Sequence, residues 1–486
     1  MNANEWKEKL YLQKKNGGLV LSEEELQKAD AFCEEYKNFL NSSKTEREAV
    51  HYAVARAEKL GFTPFDAGKA YKAGDKVYLN NRGKALILAV VGKKDLREGV
   101  HILAAHTDSP RLDLKQVPVY EDNEMGYLKT HYYGGIKKYQ WVTIPLALHG
   151  VLVKNDGSVV TVRIGEDEGD PVFCITDLLP HLAADQMKRP AGELIRGEEL
   201  NVVIGSRPFR DDDASERVKL NLLKLLFEKY GVTEADFLSA ELEVVPAFKA
   251  SDVGLDRSFV GSYGQDDRVC AYTEMEAVFD CGVPDTTVMC IFADKEEIGS
   301  VGCTGMKSAF LRHFIEDLAA PYGIAGRTVL QHSQCLSADV SAAFDPTFPE
   351  VCERKNNAFV NYGVSICKYT GARGKSGSSD ASAEFMGWVR KILDEGNVLW
   401  QTSELGKVDQ GGGGTVAAYI AELDVDTIDV GVPVLSMHAP YEMTAKIDVY
   451  SAYRKFVVFC KASETKKIPP YGTHTGEFLH LAKSQD

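Results

Sequence analysis

The sequence predicts an α/β protein: a sheet with helices on both faces, interrupted by a β-rich insert at about residues 117–245. Three observations carry this. Apolar runs of strand length alternate with amphipathic helical segments before and after that stretch. Within it the texture shifts to hairpin signals and acidic, Gly-rich loops. And 486 residues are too many for one ordinary core, so two domains are expected, 1–116 plus 246–486 and 117–245.

Two helices are expected first. Ser22 with Glu25 reads as a capping box, and Leu26, Ala29, Cys33, Tyr36 and Leu40 follow at helical spacing. Ser43 with Glu46 repeats the pattern, and Gly61 closes the second helix after Leu60. Strands follow: KVYL, a turn at Asn80–Gly83, KALILAVVG, then VHILAA running into His106. In the insert, VLVKNDGSVVTVRIG (151–165) is a hairpin around Asn155-Asp156-Gly157. VKLNLLKLLFEKYG reads as an amphipathic helix and ELEVVPAF as a strand. From about 246, alternation resumes: TTVMCIFA, MKSAFLRHFIEDLAA, QCLSADV, AEFMGWVRKIL and DTIDVGVPVLSM. Gly411–Gly414 is a local loop, and KIPPYGTHTGEF an irregular tail.

Composition narrows the function classes. The net charge is −15, from 56 basic and 71 acidic residues, which disfavours nucleic acid or an anionic membrane surface as partner. No stretch approaches the ~18 apolar residues of a membrane span. The N-terminal MNANEWKEKLYLQKK has no apolar signal core. Ten scattered cysteines, with no Cys-x-x-Cys, read as reduced thiols in a cytoplasmic protein.

The chemistry gathers where strands are expected to end. His106, in HILAAHTDSP, closes an apolar strand with Asp108 two residues on. His438, in VGVPVLSMHAPYEM, follows another apolar run. Asp266-Asp267 precede a helix, Glu296-Glu297 follow TTVMCIFADK, and Asp339 follows a short apolar stretch. In open α/β sheets, sites form beyond strand C-termini, so these segments share one expected rim. Two His and several carboxylates, without cysteine, suit Zn²⁺, Mn²⁺ or Co²⁺. The number of acids suits two ions bridged by a carboxylate. Within such a centre one of the adjacent glutamates binds metal, and the other takes the proton of a water. Asp108 is expected to hydrogen-bond the far nitrogen of His106 and fix its tautomer. The bland alternative is a set of unconnected surface acids. His51 and His313 fit helical patterns, and His474 and His480 fall in the tail.

HTDSPRLDLK (106–115), Asp266-Asp267, DKEEIGSVG (294–302), SADVS (337–341) and SMHAPYEM (436–443) occur in this order. Together they resemble the M18 family of metalloaminopeptidases, the aspartyl aminopeptidase family. The resemblance implies a three-layer αβα zinc-peptidase sheet domain split by an inserted dimerisation domain, assembled as dimers into a dodecamer. It implies peptide substrates with a free N-terminus and two divalent ions, zinc first, with cobalt or manganese as alternatives. It puts His106 and Asp339 on one ion, Glu297 and His438 on the other, Asp266 between them, and Glu296 as general base. The sequence departs from the family pattern at Asp267, where Asn is usual, and at Tyr441, where Arg is usual. KYTGARGKSGSSDAS (368–382) and KVDQGGGGTVA (407–417) match loosely. Lys375 is the candidate to meet an acidic substrate side chain, and a neutral residue such as Leu stays open. His181, in TDLLPHLAADQ, is a second substrate-side candidate, since a family His of this segment reaches a neighbouring subunit's site. Rival readings are a related co-catalytic zinc hydrolase, deacetylase- or carboxypeptidase-like, and a catalytically silent shell.

Overall fold

The computed structural model describes residues 1–211 and 213–463. The KIPPYGTHTGEF tail, with His474 and His480, lies outside the described residues. Among those described, a nine-stranded sheet forms the centre. Its middle strands are Val288–Ala293, His101–His106, Gln334–Ser337 and Asp426–Gly431, adjacent in that order and mutually parallel. Lys76–Asn81 and Ala85–Val90 extend one side antiparallel, as the turn between them requires.

These strands are buried on both faces, so they read as continuous apolar runs. Alternate residues then divide between two cores. Leu86, Leu88, Leu103, Cys290 and Phe292 face the helices Glu23–Ser42, Gln265–Phe279, Ala383–Glu395 and Lys446–Lys461. Ile87, Ala89, Ile102, Ala104 and Ile291 face the helices Phe310–Ala319 and Gly326–Gln331. The result is the expected three-layer helix–sheet–helix body.

A seven-stranded antiparallel sheet takes its strands from Arg111–Asp122 through Ala240–Pro246 and has its own apolar core. The helix Arg217–Tyr230 packs on it through Leu223, Leu226 and Tyr230. The hairpin expected at 151–165 is Leu146–Val153 paired with Val159–Ile164. A five-stranded sheet joins Phe259–Ser262, Glu442–Ala445, Pro433–Leu435, Ser341–Ala342 and Ser251–Val253.

At the N-terminus the capping differs from the expectation in one place. Ser22 and Glu25 do cap the helix Glu23–Ser42. The next helix, Glu46–Lys59, is capped by Thr45 with Glu48, not by Ser43 with Glu46. Glu46 is buried instead, with Lys84 at 3.1 Å and Arg111 at 3.4 Å. An exposed helix, Ala3–Leu10, precedes both, capped by Asn2 and Glu5.

Candidate metal centre and active site

The parallel strands set the site. Register pairs Ala293 with His106 and Ser337 with Ala104, so these strands end at one rim. The chain then supplies Glu296 and Glu297 from one strand, Asp108 from the next and Asp339 from the third. His438 arrives on the loop between Pro433–Leu435 and Glu442–Ala445. Asp266 sits at the start of Gln265–Phe279, where the backbone is not helical and the Asp266–Asp267 peptide is cis. Lys295, Ser436 and His438 hold positive φ, a conformation that non-glycine residues keep mainly where surrounding structure enforces it.

Asp266 is the hub. Its Oδ1 lies 3.2 Å from Nε2 of His106, and its Oδ2 lies 3.3 Å from Nε2 of His438. Glu297 stands 3.6 Å from the same His438 nitrogen, and Glu296 4.0 Å from His106. Ligand atoms of His106, Glu296 and Asp339 lie within 4.8 Å of one another, as do those of His106, Asp266 and Glu297. Both glutamates are therefore in reach of the centre, and distance does not separate ligand from base. Exposure differs: 16% of the Glu296 side chain is accessible against 4% for Glu297.

The electrostatics fit cations. Burial, reinforced by neighbouring carboxylates, pushes Glu297 and Asp339 well above the usual carboxylate range. Burial likewise raises Glu296 to about 7, against the pull of His106. Asp266 goes the other way: burial opposes, but hydrogen bonds from both imidazoles hold it low. Oε1 of Glu297 is buried without a hydrogen-bond partner. Mutually repelling carboxylates with two imidazole nitrogens form a donor set for borderline divalent ions.

Asp108 departs from its expected contact. Nδ1 of His106 meets the main-chain carbonyl of Asp108 at 3.0 Å, and the carboxylate stands off at 3.5 Å. That carboxylate accepts instead from the backbone N–H groups of Glu296 and Glu297, at 3.1 and 3.2 Å. The tautomer of His106 is still set by residue 108, through its carbonyl.

Other members were not singled out in the sequence. Glu442 accepts from the N–H of Gln265, Asp266 and His438, at 2.6, 3.1 and 2.9 Å, and burial raises its carboxyl to about 8. Its only sequence signal is its place in the quoted SMHAPYEM. A cavity of about 320 Å³ opens from the centre, lined among others by Cys367, Leu405, Met437 and Asp429. No lysine or arginine lines it among the described residues. Asp429 is buried, which raises its carboxyl to about 6, and it accepts from Ser337 Oγ at 2.8 Å. Lys375 is not in this lining. Its amine is 3.1 Å from Asp380 and lies over the Tyr369 ring. His181 lies in an exposed turn, outside the cavity within one chain. Tyr441, at the usual Arg position, reaches the Ser251 hydroxyl at 3.0 Å. All ten cysteines are unpaired.

With this geometry in place, comparisons with known proteins agree with one another. A family model described as aminopeptidase I zinc metalloprotease (M18) matches residues 39–460. The chain is 50% identical over 453 residues to "Probable M18 family aminopeptidase 1" of Clostridium acetobutylicum, covering 92% of this chain and 97% of that one. It is 46% identical over 429 residues to the protein of that name from Thermotoga maritima, covering 87% and 94%. A crystal structure of a Thermotoga maritima M18 aminopeptidase superposes with a TM-score of 0.89 at 43% identity, covering 93% and 99%. Aminopeptidase I from Clostridium acetobutylicum does so with 0.87 at 45% identity, covering 93% and 100%.

Proposed function

The chain belongs to the M18 family of zinc aminopeptidases, and from that premise we propose which bond it cleaves and with which residues. The reaction is removal of a neutral N-terminal residue from peptides with a free α-amino group. The observation that supports it most is Asp266, which offers one oxygen toward His106 and the other toward His438.

The proposed centre holds two divalent ions, zinc first, with cobalt or manganese as alternatives. His106 and Asp339 would hold one, Glu297 and His438 the other, and Asp266 would span them. Such a pair supplies Lewis-acid polarisation of the scissile carbonyl and a more acidic water. Glu296 is the general base. Its position at the mouth of the centre and its carboxyl near 7 suit a group that accepts a proton from water and passes it to the leaving amine.

The lining supports the neutral preference. An acidic side chain would find carboxylates and no lysine or arginine beyond the proposed metal ions, with Lys375 held by Asp380. Cys367, Leu405 and Met437 suit an apolar side chain. The proposed assembly is a cytoplasmic homo-oligomer, with dimers building a dodecamer, in which residues 117–245 form the dimerisation domain and 1–116 with 246–486 the catalytic body. Its support is the separate core of the seven-stranded sheet and exposed Leu225, Phe227 and Leu238 beside it.

A panel of Leu, Ala, Lys, Asp and Glu aminoacyl substrates, with an N-acetyl-Leu control, tests this on chelator-stripped and zinc-restored protein. Leu should be released at least about tenfold faster than Asp, since one charged contact is worth that much, and the acetylated control not at all. Preference for Asp would overturn the pocket reading. Release of the acetylated control, or no zinc-dependent release, would overturn the aminopeptidase reading.

A further inference from the structure

The seven-stranded sheet does not stop at the edge of the active centre. Its strand Met125–Tyr133 pairs with Arg111–Asp122, register Arg111 with Tyr133, which brings its end beside the His106–Asp108 turn. We propose that the segment Tyr133–Gly135 positions the active centre from that sheet. Tyr133 fixes the glutamate loop through Asp108, and the Gly135 carbonyl fixes the ring of His438. The proposal rests on the aminopeptidase reading above for its kinetic half only.

The Tyr133 hydroxyl donates to Asp108 Oδ2 at 2.8 Å. The same carboxylate accepts the N–H groups of both Glu296 and Glu297. One phenol thus orders an acceptor that holds two consecutive peptide units. Tyr133 itself has little freedom, being 8% exposed, with the Arg111 guanidinium 3.8 Å from its ring centre. Arg111 is in turn pinned by Glu46, Asp113 and Glu243. The chain is rigid from the sheet core to the loop.

Two residues on, the Gly135 carbonyl accepts from Nδ1 of His438 at 2.8 Å. With Nδ1 committed to that carbonyl, Nε2, which faces Asp266 and Glu297, is the nitrogen that would offer its lone pair to a cation in place of its proton. At Gly134 the backbone comes this close only with a small residue. A Cβ on Gly134 would sit 3.3 Å from both Glu297 Cβ and Glu297 Oε2. Gly134 also holds φ +72°, which a side chain would strain.

Tyr133→Phe keeps the ring on Arg111 and removes only the hydroxyl. It should lower kcat roughly tenfold or more, with KM within about twofold and zinc content unchanged, because the hydrogen bond to a charged group is lost. Asp108→Asn should lower kcat as well, and adding Tyr133→Phe to it should cost almost nothing further, since both act on one contact. Additive losses, or a Tyr133→Phe kcat within twofold of wild type, would overturn the Tyr133 role. Gly134→Ala, strained at φ +72° and crowding Glu297, should shift the Gly135 carbonyl off His438, weaken zinc retention about 10–100-fold in chelator competition and alter the visible spectrum of the cobalt form. Unchanged affinity and spectrum would overturn the Gly135 role. Tyr132→Phe, on the exposed face of the strand, is the control and should match wild type. Zinc competition needs no turnover, so failure of the substrate reading leaves this half of the test standing.

Discussion

Two adjacent carboxylates, Glu296 and Glu297, lie within reach of the same ligands, and their environments tell them apart. Glu297 is the more enclosed, facing His438. Glu296 is the more accessible, with its carboxyl near 7. Glu296→Gln should therefore lose about 10²–10⁴-fold in kcat while keeping its zinc, and Glu297→Ala should lose zinc. Metal analysis beside steady-state kinetics reads both, and full activity in Glu296→Gln would reverse the assignment. Asp267, the departure from the usual Asn, is buried, and burial raises its pKa well above normal. At this scale His106, Asp266, Glu296, Glu297, Asp339 and His438 were legible because each follows a strand or precedes a helix in a polar break. Tyr133, Gly135 and Asp429 were not: the partner of Gly135 is 303 positions away, and nothing local marks Gly135 itself.

At the level of elements, the helix Glu46–Lys59 shows how a correct pattern can choose the wrong residues. Ser43-x-x-Glu46 and Thr45-x-x-Glu48 both fit a capping box. Glu46 went to Lys84 and Arg111, which leaves Glu48 to close the cap. Glu48 also joins this helix to the seven-stranded sheet. It stands 2.8 Å from Nδ1 of His149, whose Nε2 faces Glu166 at 3.1 Å, and Glu166 also meets Lys44 and Lys249. Burial lowers the His149 pKa, but the two glutamates outweigh it and raise it above the ordinary 6.5. A raised histidine contributes stability that is complete below the unfolded value and is lost as pH rises through the folded one. His149→Gln should thus destabilise by about 1–3 kcal/mol at pH ~5.5 and by clearly less at pH ~9, read by urea unfolding. An equal loss at both would mean that His149 is neutral in the folded chain.

For the whole molecule, zinc and folding should be linked. The proposed ligands come from five separate segments between residues 106 and 438, so only the folded chain presents them together. A ligand that binds only the folded state adds about 2.7 kcal/mol at a hundred times its Kd. Restoring zinc to stripped protein should raise the thermal midpoint by several degrees, and a His106→Ala, His438→Ala double variant should not respond. An unmoved wild-type midpoint would argue against cation binding by the folded chain. The sequence by itself determined the three-layer α/β body, the β-rich stretch within it and the segments that carry His106, Asp266, Glu296, Glu297, Asp339 and His438. Those rest on local periodicity and on motif order, which a linear chain displays. Only the tertiary structure decided that Asp108 holds the glutamate loop, that Glu442 and Tyr133 brace the centre, and that Lys375 stays with Asp380 outside the cavity. Such contacts depend on which distant groups close packing brings within hydrogen-bond reach, and sequence spacing holds no record of that distance.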